Sequence, residues 1–140
     1  MADQHHIVLG LDVGSKRIGV ALSDSLTRLP KPLQTLQVSD QIIENIIDLI
    51  KQQNASVLVI GLPRNLEGNS TDQTRSVELF ARRLRAKIDI PVYFTDEAVT
   101  SVQAEAQLRA RGRPYAKGDI DALAAVFILE DFLNAHQKIS

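Results

Sequence analysis

Apolar residues along this chain follow two patterns, short uninterrupted runs and longer stretches with an apolar residue every three or four positions. Residues 7–11 (IVLGL) and 56–63 (SVLVIGLP) are of the first kind, the pattern of strands buried on both faces. Residues 17–23 (RIGVALS) read as a strand returning from the turn VGSK. LPKPLQTLQV reads as a third strand, in which Pro30 and Pro32 suit only a start or an edge. A short strand is predicted in IPVYFTDE, with Asp96 and Glu97 just beyond it.

The second pattern marks helices. SDQIIENIIDLIKQQN carries Ile42, Ile43, Ile46, Ile47, Leu49 and Ile50 at helical spacing, with Ser39 or Asp40 placed to cap its start. A helix beginning near Ser70, where Ser70 and Gln73 fit a capping box, puts Val77, Phe80, Ala81, Leu84 and Ile88 on one stripe. Thr100 and Gln103 repeat the capping spacing before SVQAEAQLRARG, and a long, mostly apolar helix begins near Asp119. The order is three strands, helix, strand, helix, strand and two helices. It predicts an α/β fold of the RNase H-like kind: a five-stranded mixed sheet, an antiparallel meander of the first three strands plus parallel strands, with helices on both faces.

Composition narrows the class. A chain of 140 residues has the size of one domain with one core, so residues 1–140 are expected to form a single domain. With 44% hydrophobic and 24% charged residues it reads as a soluble globular protein, and no apolar run approaches the ~18 residues of a membrane span. The absence of cysteine excludes disulfides, thiolate catalysis and cysteine-based zinc sites. MADQHHIVLG lacks a basic region followed by a long apolar segment, so a cytoplasmic location and no membrane partner are expected. A formal net charge of -1 leaves nucleic-acid binding to the placement of the basic residues.

The acids are placed unusually. Asp12 directly follows a fully apolar run, where an unpaired charge is costly unless a metal, water or hydrogen-bond donor meets it. Asp96 and Glu97 follow the last strand, and Asp121 lies in the first turn predicted for the last helix. The carboxyl ends of parallel strands are the common ligand sites of α/β sheets, so these acids have a route to one place. Carboxylates gathered there stay ionised together only with a cation such as Mg²⁺ or Mn²⁺ among them. A pair of such ions clamps a phosphodiester, activates water and stabilises the leaving oxygen. Plainer roles stay open: Asp119 and Asp121 as helix-start acids, Asp96 and Glu97 as a solvated turn, Asp24 and Asp40 as turn or cap residues, and His5 and His6 as solvated side chains.

LRARGRPYAKGD places Arg109, Arg111, Arg113 and Lys117 in an irregular segment broken by Gly112, Pro114 and Gly118. Beside a carboxylate cluster such a loop could hold phosphates, with Tyr115 stacking on an unpaired base; otherwise it is a solvated loop. Lys16 and Arg17, in the turn next to Asp12, and Arg64 and Asn65, after the second buried strand, are further candidates for phosphate contact or for solubility.

Four stretches, GLDVGSKRIGVALSD, VIGLPRNLEGN, FTDEAVTSVQAE and KGDIDALAAVFILEDFL, occur in the order and spacing of a known family over residues 8–133. Together they resemble the YqgF family, pre-16S rRNA nucleases related to Holliday junction resolvases. The resemblance implies an RNase H-like fold and a metal-dependent phosphodiesterase site, with Asp12, Glu97 and Asp121 both catalytic and metal-holding. It also implies a role in maturing the 5′ end of 16S rRNA, on the ribosomal particle that carries it, or an older proposed role on four-way DNA junctions. Related nucleases acting on symmetric junctions are dimers, so both a monomer and a homodimer are compatible with it. One departure is Ala98, where family members commonly carry an arginine directly after the Asp-Glu pair.

Two other classes compete. LDVGSKRIGVALSD also resembles the first phosphate loop of the actin and sugar-kinase fold, but that reading needs a second copy of the fold, for which 140 residues leave no room. A non-catalytic ribosome-assembly factor would use the basic loop alone, and would bind RNA equally well without Asp12 or divalent metal.

Overall fold

The computed structural model describes residues 6–65, 67–97 and 100–135, the last segment without the side chains of residues 100–103. The elements run β1 (Ile7–Val13), β2 (Arg17–Asp24), β3 (Lys31–Gln37), α1 (Ile42–Gln53), β4 (Ala55–Pro63), α2 (Asp72–Arg85), β5 (Val92–Glu97), α3 (Thr100–Ala110) and α4 (Lys117–Ala135). The five strands form one sheet in the order β3-β2-β1-β4-β5. β1 pairs antiparallel with β2, and β2 with β3, whereas β1 pairs parallel with β4, and β4 with β5. The mixed α/β sheet expected from the order of patterns is therefore present.

Side chains alternate between the two faces of a strand, and each face has its own helices. Leu9, Leu11, Ile18, Val20, Leu58, Ile60 and Leu62 meet the buried isoleucines of α1 together with Val77, Ala81 and Leu84 of α2. On the opposite face Val8, Ala21, Val57 and Val59 meet Ala104 and Leu108 of α3 and the apolar side of α4. β1 and β4 are covered on both sides, which is why they lack hydrophobic alternation. β3 is an edge strand, and the sheet register shifts beside Pro32, the residue with no N–H to give to a ladder.

Several element ends differ from the sequence expectation. Helix α2 is capped by Thr71, not Ser70: the Thr71 hydroxyl accepts from the Thr74 N–H at 3.3 Å, and the Thr74 hydroxyl accepts from the Thr71 N–H at 2.9 Å. The buried Thr74 hydroxyl also donates to the carbonyl of Pro63, tying the start of α2 to the end of β4. Helix α1 starts after Gln41 without a side-chain cap, and Ser39 instead accepts from the Gln41 N–H at 3.1 Å. The capping pair Thr100 and Gln103 lies outside the side chains described. Asp96 and Glu97 are the last two residues of β5 rather than a turn beyond it, because β4 continues to Pro63 and Glu97 pairs with it. Helix α4 begins at Lys117, two residues before Asp119, so Asp121 falls just past its first turn. Asp119 accepts from the Ala116 N–H at 2.9 Å and satisfies one of the open donors of that helix start.

Candidate active site

Asp12 is held on β1 opposite Gly19 of β2, on the face covered by α4. Gly19 is the closest point between helix and sheet: a Cβ there would lie 1.9 Å from the Asp121 carbonyl oxygen and 2.2 Å from its carbon. Further along α4, Leu129 rests on Gly10 of β1 and Ile128 on Gly61 of β4, where added Cβ atoms would come within 2.6 Å and 2.3 Å. The Phe132 ring lies 5.4 Å from that of Tyr93 on β5. The helix thus crosses the sheet from β2 to β5, with its start against β3, and backbone approach at Gly19 places the Asp121 side chain beside Asp12.

The electrostatics of the acids reflect this placement. Burial, and secondarily the charge of Asp121, push the Asp12 carboxyl up to about 6. Glu97 is pushed up to about 9, first by burial, then by a hydrogen bond with Asp131 and the charges of Asp131, Asp12 and Asp96. Asp12 and Glu97 stand on strands separated by β4, two strand spacings or about 9.5 Å. Between them on β4 stands Gly61, over which Ile128 packs, and Glu97 Cγ lies 3.7 Å from where a Cβ of Gly61 would be. The three acids therefore interact along one edge of the sheet. Among the described residues, however, no three acid or histidine side chains stand close enough to hold one metal ion.

Their present partners account for this. The Arg17 Nε donates to Asp121 Oδ2 at 2.6 Å, both side chains being largely buried. Arg17 and Gly19 share a face of β2, so the packing that sets Asp121 over Gly19 also brings it to the guanidinium. Glu97 is engaged by Asp131, an exposed acid three residues beyond Ile128 on α4 that sequence reading did not single out. Its signal would have been the i, i+3 relation to the residue over Gly61, which needs the sheet register to be recognised. All-oxygen donors of this kind suit a hard divalent cation. Holding one would require Asp121 and Glu97 to exchange Arg17 and Asp131 for it.

The basic candidates divide. Arg17, Tyr115 and Lys117 line an open groove of about 470 Å³ that contains Asp121. Arg111, Arg113 and Tyr115 line a neighbouring cavity of about 380 Å³. Arg109 pairs with Glu105 at 3.3 Å, and Tyr115 donates to the same Glu105 oxygen at 3.2 Å. Arg64 contacts Asp96 at 3.2 Å and the Ser70 hydroxyl, and its N–H donates to the Glu97 carbonyl at 3.0 Å. Asn65 organises its own loop, accepting from the N–H groups of Glu67 and Asn69 at 3.0 and 2.9 Å. Lys16 is exposed in the turn between β1 and β2. Asp24 accepts from the Leu26 N–H at 2.7 Å, a turn role. His5 and Ala98 lie outside the described residues.

A family model described as "RuvX: Holliday junction resolvase" matches residues 6–135. The chain belongs to the RuvX family. Its resemblance to resolvase-related pre-16S rRNA nucleases, drawn from four motifs, is thereby borne out, and this RuvX protein is a member of a family of resolvase-like nucleases. Curated relatives include a Synechocystis sp. protein, 42% identical over 134 residues, covering 93% of this chain and 88% of the relative. A Chloroflexus aurantiacus protein is 40% identical over 142 residues, covering 99% and 92%. Both carry the name "Putative pre-16S rRNA nuclease". Among solved structures, RuvC of T. thermophilus in complex with a Holliday junction substrate aligns with a TM-score of 0.55 at 18% identity, over 94% of this chain and 96% of that one. The fowlpox virus Holliday junction resolvase aligns with a TM-score of 0.53 at 13% identity, over 94% and 98%. At these identities the structural likeness establishes the fold of the RuvX chain, the RNase H-like arrangement expected from its sequence. Among the described residues, no helix is long and apolar enough to cross a membrane.

Proposed function

We propose that this chain is a metal-dependent endonuclease that hydrolyses phosphodiester bonds of structured RNA, processing the 5′ end of pre-16S rRNA in the cytoplasm during ribosome biogenesis. Asp12, Glu97 and Asp121 are its catalytic and ion-holding residues. The observation that carries this reading is Asp12, a carboxyl sunk at the end of a two-sided core strand and raised to about 6 by burial and by Asp121. Acids kept in mutual repulsion at a sheet edge are poised for a cation; Mg²⁺ or Mn²⁺ held by Asp12, Glu97 and Asp121 would supply water activation and charge stabilisation at the leaving oxygen. The names of the curated relatives favour the rRNA substrate.

The chain's own residues divide the remaining work. Strand β1, fixed between β2 and β4, holds the Asp12 carboxylate rigidly. Glu97 stands at the end of β5, its Cγ beside Gly61 of β4. Arg17 and Lys117 line the groove beside Asp121 and bind the phosphates of the strand to be cut. Lys16, Arg64, Asn65, Arg109, Arg111 and Arg113 extend that surface. A four-way DNA junction is the second reading, favoured by the family's description as Holliday junction resolvase.

Purified protein and the Asp12→Asn variant, each given a 5′-extended 16S precursor and a four-way junction with Mn²⁺, Mg²⁺ or EDTA, test the proposal. The expected result is metal-dependent cleavage of the precursor, absent from the variant and with EDTA. Unchanged cleavage by Asp12→Asn would sink the assignment, and cleavage of the junction alone would transfer it to DNA. RNA binding without cleavage in any ion would leave an assembly factor.

A further inference from the structure

Next to the groove that contains Asp121 lies a separate cavity of about 380 Å³, within the usual size range for small-ligand sites. Its walls include Leu108, Pro32, Pro114 and Tyr115, and its charged lining is Arg111, Arg113 and Asp119, the last accepting from the Ala116 N–H at the start of α4. Tyr115 lines both spaces and stands where the cavity and the groove meet.

Tyr115 is braced. The Tyr115 hydroxyl donates to Glu105 Oε2 at 3.2 Å, and that oxygen also receives Arg109 at 3.3 Å. The Thr35 hydroxyl donates to the Gly118 carbonyl at 2.7 Å and holds the start of α4 against β3, the strand that supplies Pro32. A flat aromatic and two proline rings around a recess, with guanidinium groups at its lining, match an aromatic base attached to a phosphate. Bases stack on such rings with little regard to sequence, while arginines take the flanking phosphates.

We propose that this cavity is a subsite for one unpaired nucleotide of the RNA substrate, seated on Tyr115 while the adjoining phosphate lies in the groove with Asp121. The inference rests on the nuclease reading of the groove and names what that site selects: a single-stranded position next to structure, not an uninterrupted duplex. Arg111 and Arg113 are binding residues in this account and take no part in the chemistry.

The test uses an RNA hairpin with a three-nucleotide single-stranded tail carrying 2-aminopurine, and the same hairpin with a blunt end, both with full-length protein in EDTA. Binding is thereby read without cleavage. The expected result is quenching of the 2-aminopurine emission at saturation and about tenfold tighter binding of the tailed hairpin. Tyr115→Ala is expected to lose both effects, Tyr115→Phe to keep the quenching, and Arg113→Gln to weaken binding of the tailed hairpin while the quenching at saturation persists. Equal affinity for tailed and blunt hairpins, or full quenching in Tyr115→Ala, would overturn the subsite. If Tyr115→Ala does not fold, the tailed-against-blunt comparison and Tyr115→Phe still decide. Loss of quenching with metal-dependent cleavage intact refutes the subsite alone. Quenching without any cleavage refutes the nuclease reading and leaves the cavity a base-binding site.

Discussion

Replacing Asp12 by asparagine keeps the side chain's size and removes its charge, so it measures what the half-buried acid costs the fold. The folded chain raises the Asp12 carboxyl from 3.8 to about 6. It therefore binds the proton more tightly than the unfolded chain does. Below pH 3.8 the group is neutral in both states and the aspartate carries no penalty. Between 3.8 and about 6 the unfolded chain releases its proton first, and folding stability falls. Above that window the loss is complete, about 3 kcal/mol at 1.36 kcal/mol per pKa unit. The substituted asparagine does not titrate, so the variant is expected to be more stable than the parent at pH 8 by about 1–3 kcal/mol. The lower figure allows for amide hydrogens that need partners in the same space. For a chain of this size the gain is about 3–12 °C in Tm. Thermal and urea unfolding at pH 4 and pH 8 in EDTA read it directly, with the two proteins converging at pH 4. A variant no more stable than the parent at pH 8, or one equally favoured at both pH values, would refute the argument that burial and Asp121 strain this carboxyl. Adding Mn²⁺ at pH 8 is expected to narrow the gap, because ligand binding stabilises the protein that retains the acid.

Two further outcomes follow from the packing of α4. Gly19→Ala drives a methyl into the backbone of Asp121, which has no rotamer by which to yield, whereas Gly61→Ala meets the movable end of Ile128. Urea unfolding should show the first losing more than about 3 kcal/mol and the second about 1–3 kcal/mol, and the reverse order would contradict the close approach at Gly19. Arg17→Gln removes the cation now paired with Asp121; calorimetry should show Mn²⁺ binding strengthened several-fold and RNA binding in EDTA weakened. Unchanged or weaker Mn²⁺ binding would mean that Arg17 and the ion do not compete for Asp121.

Local patterns along the chain were sufficient for most of the elements. Apolar runs without alternation marked β1 and β4, since a strand covered on both faces has no solvent side to encode. The two prolines marked β3 as an edge, because a residue without an N–H is tolerated where no neighbour needs it. An acid directly after a core strand marked Asp12, because burying a charge is costly wherever it happens. The family motifs then joined Asp12 to Glu97 and Asp121. What the chain's order could not contain was the set of partners. That Arg17 closes on Asp121, that Asp131 reaches Glu97, that Gly19 and Gly61 are contact points for α4, and that Tyr115 lines both a cavity and a groove all depend on where α4 crosses the sheet. Residues 17 and 121 are 104 positions apart, and no periodicity carries information over that distance. Local propensity and burial pattern act within a few residues of each position, so the sequence by itself determined which segments are strands and helices and which acids are out of place. Only the packing of one helix across the sheet decided which charges meet.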